Sequence, residues 1–127
     1  MDSYFYEKRK DMKNLIFISF FFVSALALGQ KSIDDRAKEQ TDAMKTQLNL
    51  TPEQYTKVLE INRGIIQKNT DIENSSYSAE VKREIIQSNR KARKAMLKDV
   101  LTAAQYEKLE EIVKVKREEA RESEIKQ

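Results

Sequence analysis

The chain has 127 residues, with 24 Lys and Arg against 21 Asp and Glu, no Cys, no His, no Trp, two Gly and one Pro. Without Cys or His there is no disulfide framework, no thiolate or imidazole metal site and no Ser-His or Cys-His pair; two Gly cannot build a phosphate-cradling loop, and so few turn residues argue against a β protein. With 39% hydrophobic and 35% charged residues, the expectation is one small, all-α, non-catalytic domain with a thin core and no cofactor.

In chain order, the first feature is an uncharged stretch from Leu15 to Gly29. Lys8, Arg9, Lys10 and Lys13 precede it, and the small residues Ser24, Ala25 and Ala27 close it. Basic, apolar and small-residue regions in that order are the pattern of a secretory signal peptide. Ala25-Leu26-Ala27 and Ala27-Leu28-Gly29 both fit a small-x-small cleavage rule. Cutting after Gly29 is preferred, giving a signal peptide over 1–29 and a helical domain over 30–127. Translation starts at Met1 or at Met12; with Met12, residues 1–11 are an upstream start-site artefact. A membrane-spanning helix wants about 20 apolar residues, so the stretch is short for a retained anchor. A retained anchor and a buried core helix remain the alternatives. The expected product is a soluble periplasmic protein that is not inserted in the membrane after cleavage. Export and the small charge excess both disfavour nucleic acid as a partner.

Four helical segments follow. Over 33–48, Ile33, Ala37, Met44 and Leu48 share a face, with Gln40 and Thr41 filling the gaps. Over 52–70, Tyr55, Val58, Leu59, Asn62, Ile65, Ile66 and Asn69 form one stripe. Asn74 to Tyr77 reads as a loop within a 71–78 connection. Ser78 caps a third helix over 79–99, where Val81, Ile85, Ala92, Met96 and Val100 are the expected core face. A fourth helix over 103–122 aligns Tyr106, Leu109, Ile112, Val113 and Ala120, and the charged tail from Lys116 to Gln127 is expected to fray.

The most informative feature is a repeat. Leu50-Thr51-Pro52-Glu53-Gln54-Tyr55 at one helix start is matched 51 residues later by Leu101-Thr102-Ala103-Ala104-Gln105-Tyr106. Helix-start physics explains the shared letters. Thr51 and Thr102 are N-caps, and Gln54 and Gln105 reach back to complete capping boxes. Leu50 with Tyr55, and Leu101 with Tyr106, form hydrophobic staples. Pro52 sits at the first helical position, where no N–H is needed. The motif therefore carries a structural role and predicts two helix–sharp turn–helix units joined by the 71–78 loop.

Two LTxxQ motifs behind a signal peptide in a small Cys-free helical chain resemble the Spy/CpxP family of periplasmic stress proteins. The resemblance runs from about Ile33 to Ala120. It implies a thin, curved, antiparallel homodimer. It also implies one of three roles: ATP-independent holding of unfolded or misfolded envelope proteins, restraint of an envelope-stress sensor kinase, or metal sensing. This chain lacks the His of the metal-sensing members. Beyond the signal region it has only Met44 and Met96 as soft ligands, so no metal site is expected. Independently, a four-helix chain with short apolar stripes buries little surface alone, which favours pairing with a second copy.

The third helix carries the candidate client surface. Arg83, Arg90, Lys94 and Lys98 lie within about 80° of one another around the helix, opposite the expected core stripe. Lys82, Lys91 and Arg93 add basic density, and Ile86 and Leu97 flank the stripe. Basic residues beside apolar ones suit the capture of an acidic or unfolded partner. Paired carboxylates such as Glu110/Glu111 and Glu118/Glu119 lie where a charged helix face is expected, and no catalytic residue is assigned.

Overall fold

The structure, a computed structural model, describes residues 31–126. Four helices make up this region: α1 (Ile33–Leu48), α2 (Pro52–Glu73), α3 (Ala79–Val100) and α4 (Ala103–Ile125). No strand occurs among the described residues, so the fold is all-α as expected. The expected signal peptide over 1–29 lies outside them.

Local chemistry sets each boundary. α1 stops because Asn49 takes a left-handed conformation, φ 54°, which Asn tolerates better than most residues. The Leu50 N–H closes the turn by donating to Lys45 O at 3.3 Å. α2 ends at Asn74, whose N–H donates to Thr70 O, and the Ser75 hydroxyl donates to Ile72 O at 2.5 Å. Ser78 caps α3 by accepting from the Val81 N–H at 3.3 Å. α3 stops where Leu101 turns extended, with ψ 151°, and Thr102 begins α4 at once. α4 continues to Ile125, through the segment expected to fray. That segment is rich in Lys, Arg and Glu, which are good helix formers without tertiary support.

α1 lies along α2, and α2 lies along α3; α4 touches α1 and α3 only sparsely. The core is a strip built from Met44, Leu48, Leu50, Val58, Leu97 and Leu101, with Ile61, Val100, Tyr106, Leu109 and Ile112 packed against it. Leu50 and Leu101, the first letters of the two motifs, are both buried at the turns. Beyond Ile112 every described residue of α4 is exposed.

The inward faces of α1 and α2 match the sequence expectation: Ala37, Thr41, Met44 and Leu48 on α1 and Val58, Asn62, Ile65 and Ile66 on α2 are buried. The face of α3 matches only in part. Ile85 and Val100 of the expected stripe are half-buried, but so are Ile86, Asn89 and Arg93, and Leu97 is fully buried, while Ala92 is exposed and Val81 and Met96 are each 38% exposed. The buried face is centred roughly 60° around the helix from the apolar-stripe reading. Polar pairing explains the rotation. Asn89 Nδ2 donates to Asn69 Oδ1 at 2.9 Å, and Arg93 Nε donates to Asn62 Oδ1 at 2.9 Å. Two polar residues on α2 thus select two polar residues on α3, and Val81, Ala92 and Met96 of the apolar stripe are left facing outward. On α4, Val113 and Ala120 were expected on the core face and are exposed.

Leu97, 1% exposed, is therefore a core residue. Leu97→Ala should cost about 2–5 kcal/mol through lost burial and the cavity left behind. Val115→Ala, at a half-exposed site on distal α4, should cost about 0.5 kcal/mol or less. Urea denaturation followed by circular dichroism distinguishes the two.

Candidate binding groove and the paired helix caps

Both capping boxes form. Thr51 Oγ1 accepts from the Gln54 N–H at 3.1 Å, and the Thr51 N–H donates to Gln54 Oε1 at 3.0 Å. Thr102 and Gln105 repeat the arrangement at 3.2 and 3.0 Å. The two glutamines also meet. Gln54 Nε2 donates to Gln105 Oε1 at 2.7 Å and to Val100 O at 3.2 Å. Gln105 Nε2 donates to Gln54 Oε1 at 3.1 Å and to Leu48 O at 3.1 Å. Each amide oxygen accepts two N–H groups, and each amide nitrogen spends both of its hydrogens. The first helix of each unit thus has its last carbonyl satisfied by the other unit's motif, which fastens the two turns back to back.

The motif's tyrosines also repeat a geometry. Lys45 Nζ stands 5.6 Å from the centre of the Tyr55 ring, and Lys98 Nζ stands 5.7 Å from that of Tyr106. Tyr55 donates its hydroxyl to Asp42 Oδ1 at 2.7 Å, and that hydrogen bond raises the phenol pKa. Lys94 pairs with Glu110 at 2.7 Å. The pair's hydrogen bond raises the ammonium pKa and lowers that of the carboxyl, which Tyr106 lowers further.

Residues of all four helices line a groove of about 440 Å³. Met44, Ile65 and Ile66 supply a buried floor, and Ile86, Leu109 and Ile112 supply half-buried walls. Arg36, Arg90 and Lys116 are exposed at its edge, Arg93 lies deeper, and Glu73 is the one acid in the lining. Below the groove runs a polar chain through the core. Arg93 donates to Asn62 Oδ1 and, from Nη2, to Met44 Sδ at 3.5 Å; Asn62 Nδ2 donates to Thr41 Oγ1 at 3.0 Å; and the Thr41 hydroxyl donates to Ala37 O at 2.7 Å. Among the described residues no carboxylate lies within ion-pair distance of Arg93. Burial lowers the guanidinium pKa, although such a group stays protonated.

The candidate client residues separate when placed in the fold. Ile86 and Arg90 line the groove. Lys94 lines the adjoining cleft between α3 and α4 and is held by Glu110. Lys98 covers Tyr106, and Arg83 is exposed outside both cavities. Leu97 belongs to the core and is removed from the client surface, because α3 is rotated. Sequence reasoning missed Arg36, the α4 wall and the special position of Arg93. A signal for Arg93 was present: Thr41 and Asn62 fall on expected core faces, and buried polar side chains demand a partner. Among the described residues no group of three or more acidic side chains is placed to hold a metal ion. None of their helices is long and apolar enough to cross a membrane.

A family model described as a domain of unknown function, DUF4890, matches residues 28–109. The chain belongs to the DUF4890 family. The DUF4890 match takes in both motif copies and the first turns of α4, and it stops short of the exposed part of α4. No curated protein and no solved structure gave a match.

The choice of Gln over Glu at the third helical position is the testable core of the motif. Glu serves a capping box equally well but brings no N–H groups to the opposite turn. Gln54→Glu should keep the α2 cap, leave Val100 O unpaired and set a carboxylate against Gln105 Oε1. A loss of about 1–3 kcal/mol is expected. In a Gln54→Ala/Gln105→Ala double-mutant cycle, thermal unfolding should give a coupling of at least about 0.5 kcal/mol.

Proposed function

We propose that this DUF4890 protein is an ATP-independent holding chaperone of the periplasm, which takes up unfolded or misfolded envelope proteins in the four-helix groove. The observation that carries the reading is the groove's composition: half-buried apolar walls over a buried apolar floor, edged by more cations than anions. Apolar segments of an unfolded client gain burial against the walls formed by Ile86, Leu109 and Ile112. The cationic edge accelerates encounter with acidic segments through long-range attraction. Such binding is weak and adaptable, as holding without nucleotide requires. The resemblance of the two LTxxQ motifs to those of the Spy/CpxP family supports the same reading, and the expected signal peptide supplies the compartment.

A second copy of the chain is part of this proposal. The outward flank of α3 presents Val81 and Met96, each 38% exposed, and Tyr77 in the loop before the helix is also exposed. This flank lies away from the basic side of the helix, so pairing there would leave Arg90 and the groove open. Sedimentation at micromolar concentration should give a dimer. Met96→Glu should shift it to monomer while the helical content stays unchanged. A wild-type monomer would overturn the pairing.

The function is tested by light scattering from a denatured aggregation-prone protein diluted into buffer without nucleotide. Protein expressed from the full chain should suppress scattering at near-stoichiometric amounts. Ile86→Ser should weaken suppression, and Arg90→Gln should reduce its salt dependence. Absence of suppression by a folded protein would overturn the chaperone reading in favour of one specific partner, such as the sensor domain of an envelope-stress kinase, sought by pull-down from envelope extracts.

A further inference from the structure

The guanidinium of Arg93 is unusual for its surroundings. It sits among Met44, Asn62 and the apolar walls of the groove, and it is shielded enough for burial to depress its pKa. It uses one N–H on Asn62 and one on the Met44 sulfur, the latter a weak acceptor. Among the described residues its other N–H groups, three of the five a guanidinium carries, have no partner. No buried side-chain nitrogen or oxygen among the described residues lacks a partner, so these free N–H groups open onto the groove and are met there by solvent. Asn62, itself held by Thr41, fixes the Nε edge, so the side chain is pinned in place while its Nη1 end remains unused. Arg90, one turn earlier on α3, lines the same groove and the adjoining cleft.

We infer that Arg93 is an anchoring site for a carboxylate carried on a protein segment that also has large apolar side chains, the carboxylate meeting the unused guanidinium N–H groups and the apolar side chains filling the groove floor. The inference rests on the reading of the groove as a client site and names what the groove selects. Charge complementarity argues for an anion, since the lining holds four cations and one acid. The apolar floor beside Arg93 argues for an anion borne on an apolar chain over a small free ion, which would leave that floor wet. Rim cations steer such a segment in, and Arg93 holds it, because a charge-assisted hydrogen bond to a half-buried, pinned guanidinium outweighs an exposed ion pair.

The test uses protein expressed from the full chain and two fluorescein-labelled peptides. One alternates Glu with Leu, Ile and Phe; its twin has Gln at every Glu position. Anisotropy titrations should show the Glu peptide binding about tenfold or more tighter than the Gln peptide, the range of a charge-assisted hydrogen bond. Arg93→Met should abolish that preference and leave binding of the Gln peptide within about twofold, with circular dichroism confirming the fold. Arg90→Gln should weaken the salt dependence and retain the preference. Equal binding of the two peptides by the wild-type protein would overturn the role of Arg93 while the groove remains a client site. If neither peptide binds nor competes with a denatured client that the protein does hold, the groove assignment falls together with the anchor. Because the wild-type comparison decides the matter alone, the inference stays open to refutation if Arg93→Met fails to fold.

Discussion

The fold depends on a pair of neutral amides facing each other. Gln54 and Gln105 each start a helix, and each reaches across to the last carbonyl of the helix that precedes the other. A helix end buried at a sharp turn leaves carbonyls without partners, and these chains turn too quickly for water or a long loop to satisfy them. The glutamine pair solves that problem at both turns at once. Only an uncharged group that both accepts and donates can occupy both sides of a reciprocal pair. Two carboxylates would repel, and two ammonium groups could not cap. The repeat is therefore a repeat of hydrogen-bonding capacity, and its spacing is set by the length of the α2–loop–α3 path between two points that must meet.

From that fastening the remaining geometry follows. The two turns are held back to back, so α1 and α4 leave the same region from opposite units. α2 and α3 run side by side between the turns, locked in register by the Asn62–Arg93 and Asn69–Asn89 pairs. α4 contributes Tyr106, Leu109 and Ile112 to the core before its packing ends. The groove is the space enclosed by α1 on one side and α4 on the other, with α2 and α3 between them. Besides the turns, α1 is tied to α2 by the buried Asn62–Thr41 hydrogen bond and α4 to α3 by the Lys94–Glu110 pair, with the core strip running between them.

Much of this was legible in the residues. Helix boundaries were readable because caps and turn residues are local: Thr51, Ser78 and Thr102 each announce a helix start within four residues. The inward faces of α1 and α2 were readable because their apolar and small residues fall on one stripe. The face of α3 was legible only in part: Ile85 and Val100 turn inward as expected, but periodicity also weighs Val81, Ala92 and Met96 above Asn89 and Arg93. What decided it was pairing with Asn62 and Asn69, residues 20 to 31 positions away. A local pattern carries no information about that distance. Leu97 was misplaced for the same reason, and its correct burial follows once Arg93 is turned inward. The capping role of the glutamines was local and legible; their meeting across the two turns was not.

The polar chain from Ala37 O through Thr41, Asn62 and Arg93 is a weak way to stabilise so thin a core. Apolar residues of the same volume would spare the desolvation of a guanidinium, and replacing buried charge in this way is often neutral or stabilising. Register supplies one return: Asn62 and Arg93 tell α3 which of its two stripes faces inward, and without them the longer apolar stripe would compete for the core. Register alone does not require a cation, because a neutral amide at position 93 would offer Asn62 a donor as well. What an amide would lack is a positive charge at the base of the groove. The selection of arginine there, with most of its donors turned away from its one good acceptor, joins the alignment of α3 and the character of the groove in a single side chain.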